Sequence, residues 1–135
     1  MTRHVGHIHL NVDAANVDFY TELYESLGWA ILIEDDGFTG VRRDGWSIRF
    51  TPGGTGTIHN HDAIGINHLG IEADPVEAVD QVGTWIRGKS IAPLYGTPTN
   101  RPEFAASGDE MYYSVMLESP DGILLEVVYT DPRTI

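Results

Sequence analysis

The chain contains no cysteine, which excludes disulfides, zinc–thiolate sites, iron–sulfur clusters and thiol nucleophiles. Basic residues are scarce. A single lysine, Lys89, and seven arginines stand against 20 Asp and Glu, for a formal charge of −12. The acidity is spread along the chain rather than gathered in a tail, so a nucleic-acid duplex or an anionic membrane would be repelled over most of the surface. Neither is an expected partner. Long apolar runs are also lacking: uncharged stretches such as 27–33 and 111–117 are far too short to span a bilayer. No basic segment followed by an apolar one opens the sequence, and a cytoplasmic location is expected. What is present is 135 residues, 41% hydrophobic and 21% charged, the composition of one soluble globular domain able to close its own core.

Two stretches share one grammar. The first opens with His7-Ile8-His9-Leu10-Asn11-Val12, a strand-type alternation, then Asp13 as N-cap. Val17, Phe19, Tyr20, Leu23, Tyr24 and Leu27 follow at helical spacing, with Gly28 as the stop. The second opens with Asn67-His68-Leu69-Gly70-Ile71. Asp74 serves as N-cap, Pro75 as the first helical residue and Glu77 as the capping-box partner, and Val79, Val82 and Ile86 form the apolar stripe of a helix ending near Gly88. His7 matches His68 at an offset of 61 residues. Downstream, Asp44-Gly45 and Asp121-Gly122 each read as a turn feeding a strand. Strands expected at 29–34 and 38–42 in the first half, and at 91–95 and 111–117 in the second, make each half β-α-β-β-β. The modules span about 1–57 and about 62–135, joined by a Gly/Thr-rich linker at 52–57. Neither half alone would bury an adequate core, so the two are expected to form a single α+β unit.

In this repeat frame His7 and His68 occupy matched places on the first strands, and Arg49 and Glu126 on the last. Related by a pseudo-twofold, the four would converge. Two imidazoles and a carboxylate are a sufficient ligand set for one divalent ion (Fe, Mn, Zn, Ni or Co), with positions left open for water, oxygen or substrate. Arg49 is permanently charged and cannot ligate, but it can receive an anionic substrate group by bidentate hydrogen bonding. Each histidine alone would pass for an ordinary strand residue. Glu126, inside Leu124-Leu125-Glu126-Val127-Val128, is harder to dismiss, because a buried unpaired carboxylate is costly.

The sequence resembles the vicinal oxygen chelate superfamily, which includes glyoxalases, bleomycin resistance proteins, fosfomycin resistance enzymes and extradiol dioxygenases. The likeness covers nearly the whole chain. It rests on His7-Ile8-His9-Leu10-Asn11-Val12 before Asp18-Phe19-Tyr20 and Leu27-Gly28-Trp29, on Asn67-His68-Leu69-Gly70-Ile71, and above all on Ser119-Pro120-Asp121-Gly122 before Leu125-Glu126-Val127. The resemblance implies paired β-α-β-β-β modules whose mixed sheet curls into a metal-holding cup, commonly in a homodimer. It also implies His7, His68 and Glu126 as the metal ligands. Arg49 stands where a glyoxalase I has a second metal-binding glutamate, which argues against lactoylglutathione lyase activity. A fosfomycin-type enzyme has threonine where His9 stands, and its substrate-holding residues are not evident. The late acid–base histidine of ring-cleaving dioxygenases is missing from 107–113. Metal-free drug-binding members lack the ligand set that this chain keeps.

The expectation is therefore a metal-dependent enzyme acting on a small substrate with vicinal oxygens. Dioxygenase-like chemistry is favoured; the alternatives are a glyoxalase-type lyase or isomerase and a metal-free small-molecule binding or resistance protein. His9 shares the face of His7 and is the expected acid–base group. Asn11 continues that face as a substrate contact. Tyr113, which shares parity with Val115 and Leu117, is expected to line the pocket in preference to Tyr112. His59 and His61 lie outside the repeat frame and are not assigned to the site. The Pro-, Gly- and Thr-rich segment 93–108 is expected to be a loop over the pocket mouth or a disordered tip.

Overall fold

A computed structural model describes residues 6–33, 39–107 and 110–131. The chain divides into two compact units, Met1–Ile58 and His59–Ile135. In the first, β1 (Gly6–Val12), a 3-10 turn (Ala14–Asn16), α1 (Val17–Ser26), β2 (Ala30–Ile33), β3 (Thr39–Arg43) and β4 (Trp46–Pro52) follow in order. In the second, β5 (Leu69–Glu72), α2 (Glu77–Gly88), β6 (Leu94–Asn100), a 3-10 turn (Pro102–Phe104), β7 (Met111–Glu118) and β8 (Leu124–Asp131) repeat that order. Each unit holds one four-stranded mixed sheet, ordered β1-β4-β3-β2 and β5-β8-β7-β6. The first and fourth strands pair in parallel and the other neighbours antiparallel. The expected α+β repeat is present twice with one topology. Positions 3–5, 34, 38 and 108 of the expected segments lie outside the described residues. Among the described residues, no helix is long and apolar enough to cross a membrane.

Local chemistry explains the punctuation. Asp44 and Gly45 both have positive φ (53° and 87°) and join the paired residues Arg43 and Trp46. This is the two-residue hairpin turn whose twist suits antiparallel strands. Gly28, at φ 92°, ends α1 and donates its N–H to the Glu25 carbonyl at 3.1 Å, satisfying one of the helix's last acceptors. In the Ser-Pro-Asp-Gly turn, the Ser119 hydroxyl oxygen accepts from the N–H groups of Asp121 at 3.2 Å and Ile123 at 3.0 Å. Buried Ser119 thereby organises the β7–β8 hairpin.

In each unit one sheet face packs on a helix. In the first, Val41, Ile48 and Phe50 meet Tyr20, Leu23 and Tyr24 of α1, all buried. The Tyr20 and Phe50 rings stack with centroids 5.0 Å apart. In the second, Val79, Val82 and Ile86 of α2 cover Ile71, Val115, Leu117, Leu125 and Val127, all buried. The opposite faces carry the polar residues of interest.

Three details depart from the sequence-based expectation. Asp13 caps the 3-10 turn, accepting from Ala15 N–H at 2.9 Å, and α1 begins four residues later at Val17. Pro75 precedes α2 rather than opening it. The Ala78 and Val79 N–H groups bond back three residues, to the carbonyls of Pro75 (2.9 Å) and Val76 (3.1 Å), so a tighter turn leads into the helix, whose N-cap position falls on Val76. The segment from 93 onward is largely strand: β6 runs to Asn100 along β7 before the 3-10 turn at Pro102–Phe104.

Candidate functional site

The strand registers place the repeat-matched residues. Across the first sheet one row reads His9, Arg49, Gly40, Leu32. Across the second, the equivalent row reads Gly70, Glu126, Met116, Leu94. Arg49 and Glu126 each pair with the residue two positions after a matched histidine, so the repeat holds residue by residue. Because side chains alternate along a strand, His68 shares a face with Gly70 and Glu126, and His7 shares one with His9 and Arg49.

In the second unit, His68 and Glu126 come together. His68 Nε2 lies 3.7 Å from Glu126 Oε1, close to the roughly 3–3.5 Å that separates two donors on one ion with bonds of about 2.1 Å. The Glu126 side chain is 11% exposed and that of His68 38%. A buried carboxylate demands partners, and Tyr112 supplies one by donating its hydroxyl to Glu126 Oε1 at 2.9 Å. Burial, the hydrogen bond to Glu126 and the carboxylate's charge push the Tyr112 phenol up to about 12, so it remains a donor throughout the neutral range.

The His68 ring is also fixed on its far side. Its Nδ1 lies 2.7 Å from Asn67 Oδ1, while Asn67 Nδ2 donates to the carbonyl of His61 at 3.3 Å. His61 in turn lies against β7, its Nε2 3.3 Å from Glu118 Oε2.

The first unit displays His7, His9 and Asn11, all exposed, on the sheet face away from α1, beside half-buried Arg49. His9 Nε2 hydrogen-bonds the Thr51 hydroxyl, its neighbour along that face. Ser47 pairs with both His7 and Arg42, which extends the cationic face. A cavity of about 450 Å³ nearby is lined by Leu32, Arg42, Trp46 and Ser47 among others.

Tyr113 is placed away from this chemistry. Its hydroxyl donates to Asp80 of α2 at 2.5 Å, on the face where Val115 and Leu117 meet that helix. Parity with those two residues marked the helix-packed face; the Glu126 face carries Tyr112. The signal for Tyr112 lay in the turn, because a hairpin centred on Asp121 pairs Met116 with Glu126 and so puts even-numbered residues of β7 on the Glu126 face. Asn67 and Arg42 had no comparable local signal. Neither unit alone, among its described residues, groups three His, Asp or Glu side chains closely enough to hold a metal ion. The second unit supplies a pair.

Comparison with known proteins bears on the fold. No protein-family model and no curated protein matches the sequence. Among solved structures, an inferred glyoxalase from Bacillus halodurans matches with a TM-score of 0.74 at 22% identity, over 93% of this chain and 94% of that one. A glyoxalase/bleomycin resistance protein from Albidiferax ferrireducens matches with a TM-score of 0.69 at 18% identity, over 93% and 98%. A glyoxylase/bleomycin resistance protein/dioxygenase domain from Frankia sp. gives 0.59 at 17%, over 96% of each chain.

Proposed function

We infer from the shared fold that the chain belongs with the glyoxalase/bleomycin resistance/dioxygenase proteins of the vicinal oxygen chelate superfamily. From this premise we propose that the chain is a metal-dependent enzyme acting on a small substrate with vicinal oxygens, with dioxygenase-like chemistry favoured over lyase or isomerase chemistry. The observation that carries this reading is the approach of His68 Nε2 to Glu126 Oε1 at 3.7 Å, at the positions the repeat marks. His68 and Glu126 would hold one divalent ion, with His7 contributed from the matched strand position of the same chain or of a second copy in a homodimer. The donor set of two imidazoles and a carboxylate suits Fe(II), Mn(II), Zn(II) or Ni(II). Such an ion, when bound, supplies Lewis acidity toward the substrate's paired oxygens.

The chain's own residues supply the rest. Tyr112 holds Glu126 in one orientation, so little ordering is left for binding to impose. Arg49 presents a guanidinium fork to an anionic substrate group. His9 Nε2, which exchanges a hydrogen bond with Thr51, is the group that takes or returns a substrate proton.

Titrating metal-free protein with Fe(II) or Co(II) under anaerobic conditions tests the reading. Saturation at one ion per chain, weakened at least about tenfold in Glu126→Gln, is the expected result. Wild-type protein binding no ion more tightly than Glu126→Gln would overturn it. A second reading, a metal-free small-molecule binding protein, draws on the fact that Tyr112 already partners Glu126. Ligand-induced quenching of half-exposed Trp46 without saturable ion binding would favour it.

A further inference from the structure

Residues 59–67 form an anchored loop rather than a slack linker. The His59 N–H donates to the Asp121 carbonyl at 3.0 Å, tying the loop to the Ser-Pro-Asp-Gly turn. Asn60 closes a local turn, accepting at Oδ1 from Asp62 N–H at 3.0 Å and at its carbonyl from Ala63 N–H at 3.1 Å. The His61 side chain, 12% exposed, lies between Glu118 (3.3 Å) and Asp62 (3.4 Å). These contacts fix the His61 carbonyl, which faces Asn67.

That carbonyl determines the rest by elimination. A carbonyl only accepts, so the Asn67 atom facing it at 3.3 Å is the amide nitrogen. The Asn67 oxygen therefore faces His68 Nδ1 at 2.7 Å. An amide oxygen also only accepts, so Nδ1 must carry the proton. In the neutral ring Nε2 then carries none, and Nε2 is the atom turned toward Glu126. A bare Nε2 opposite a carboxylate is an arrangement in which both atoms present lone pairs to the space between them.

We propose that Asn67 is a positioning residue that locks His68 in the Nδ1–H tautomer, with the loop at His59–His61 as its anchor. The neutral ring thereby presents its lone pair at Nε2 without prior proton rearrangement. The consequence for metal binding rests on the function proposed above; the tautomer lock does not.

The test uses the full chain, metal-free and labelled with ¹⁵N-histidine, at a pH well above the ordinary imidazole range. Long-range ¹H–¹⁵N correlations report which ring nitrogen is protonated, and loss of signals in His68→Gln assigns the residue. Wild-type His68 is expected to show protonated Nδ1 and bare Nε2. Asn67→Ala is expected to move the ring toward the Nε2–H form that neutral histidine favours in water. Asn67→Asp keeps an acceptor for Nδ1 but loses the donor to the His61 carbonyl, so it is expected to restore the wild-type pattern only in part. A wild-type His68 carrying its proton on Nε2, or an Asn67→Ala spectrum unchanged at His68, would overturn the proposal. In parallel, Asn67→Ala is expected to weaken Co(II) binding about 10- to 100-fold, the usual effect of losing a ligand's outer hydrogen bond. A locked tautomer in a wild-type protein that binds no ion would uphold the positioning role and refute the metal reading.

Discussion

Tyr112 and Glu126 share a hydrogen bond of 2.9 Å across the β7–β8 hairpin, so the carboxylate depends on the tyrosine that strand parity sets aside. Tyr112→Phe removes the donor and leaves the ring. Losing a hydrogen bond to a charged, mostly buried acceptor is expected to destabilise the fold by about 1–3 kcal/mol at neutral pH, measured by urea denaturation.

The same pair predicts a pH dependence with a definite sign. The Tyr112 phenol ionises near 10 when unfolded and is pushed up to about 12 in the fold, by burial first and by Glu126 second. Its contribution is therefore complete below about pH 10 and is lost as pH rises toward 12. The stability difference between wild type and Tyr112→Phe is expected to shrink over that window. A difference that grows there would contradict the assignment.

The first unit's core gives a stability prediction independent of any ligand. Phe50 is fully buried and its ring stacks on Tyr20 at 5.0 Å. Phe50→Ala is expected to cost about 3–5 kcal/mol, combining lost transfer free energy with a residual cavity, and Phe50→Leu markedly less. Equal losses in the two variants, measured by urea denaturation, would contradict the packing described.

Charge supplies another. At −12 the folded chain repels itself, and raising ionic strength from about 0.01 M to about 1 M shortens the screening length from roughly 30 Å to roughly 3 Å. Tm is expected to rise with NaCl by about 4 °C or more, since about 1 kcal/mol corresponds to a few degrees in a domain of this size. A fall in Tm would show that attractive pairs outweigh the net repulsion.

The repeat was legible because it is written in strong local signals. Two Asp-Gly turns, two amphipathic helices and the His7/His68 offset fixed the topology, and with it the equivalence of Arg49 and Glu126. Buried positions were harder to orient. Val115 and Leu117 face α2 rather than the Glu126 side, so parity alone assigned Tyr113 to the pocket and passed over Tyr112. The start of α2 shifted because a three-residue turn at Pro75 precedes the helix. Asn67 was illegible for a different reason: its role depends on the His61 carbonyl, and a backbone carbonyl has no residue-specific signature.

Metal content decides whether His68 and Glu126 belong to a metal site, as proposed. Protein purified anaerobically should carry about one divalent ion per chain by mass spectrometry, and His68→Ala, folded by circular dichroism, should carry almost none. Full metal content in His68→Ala, or no metal in either protein, would rule out a metal site at His68 and Glu126.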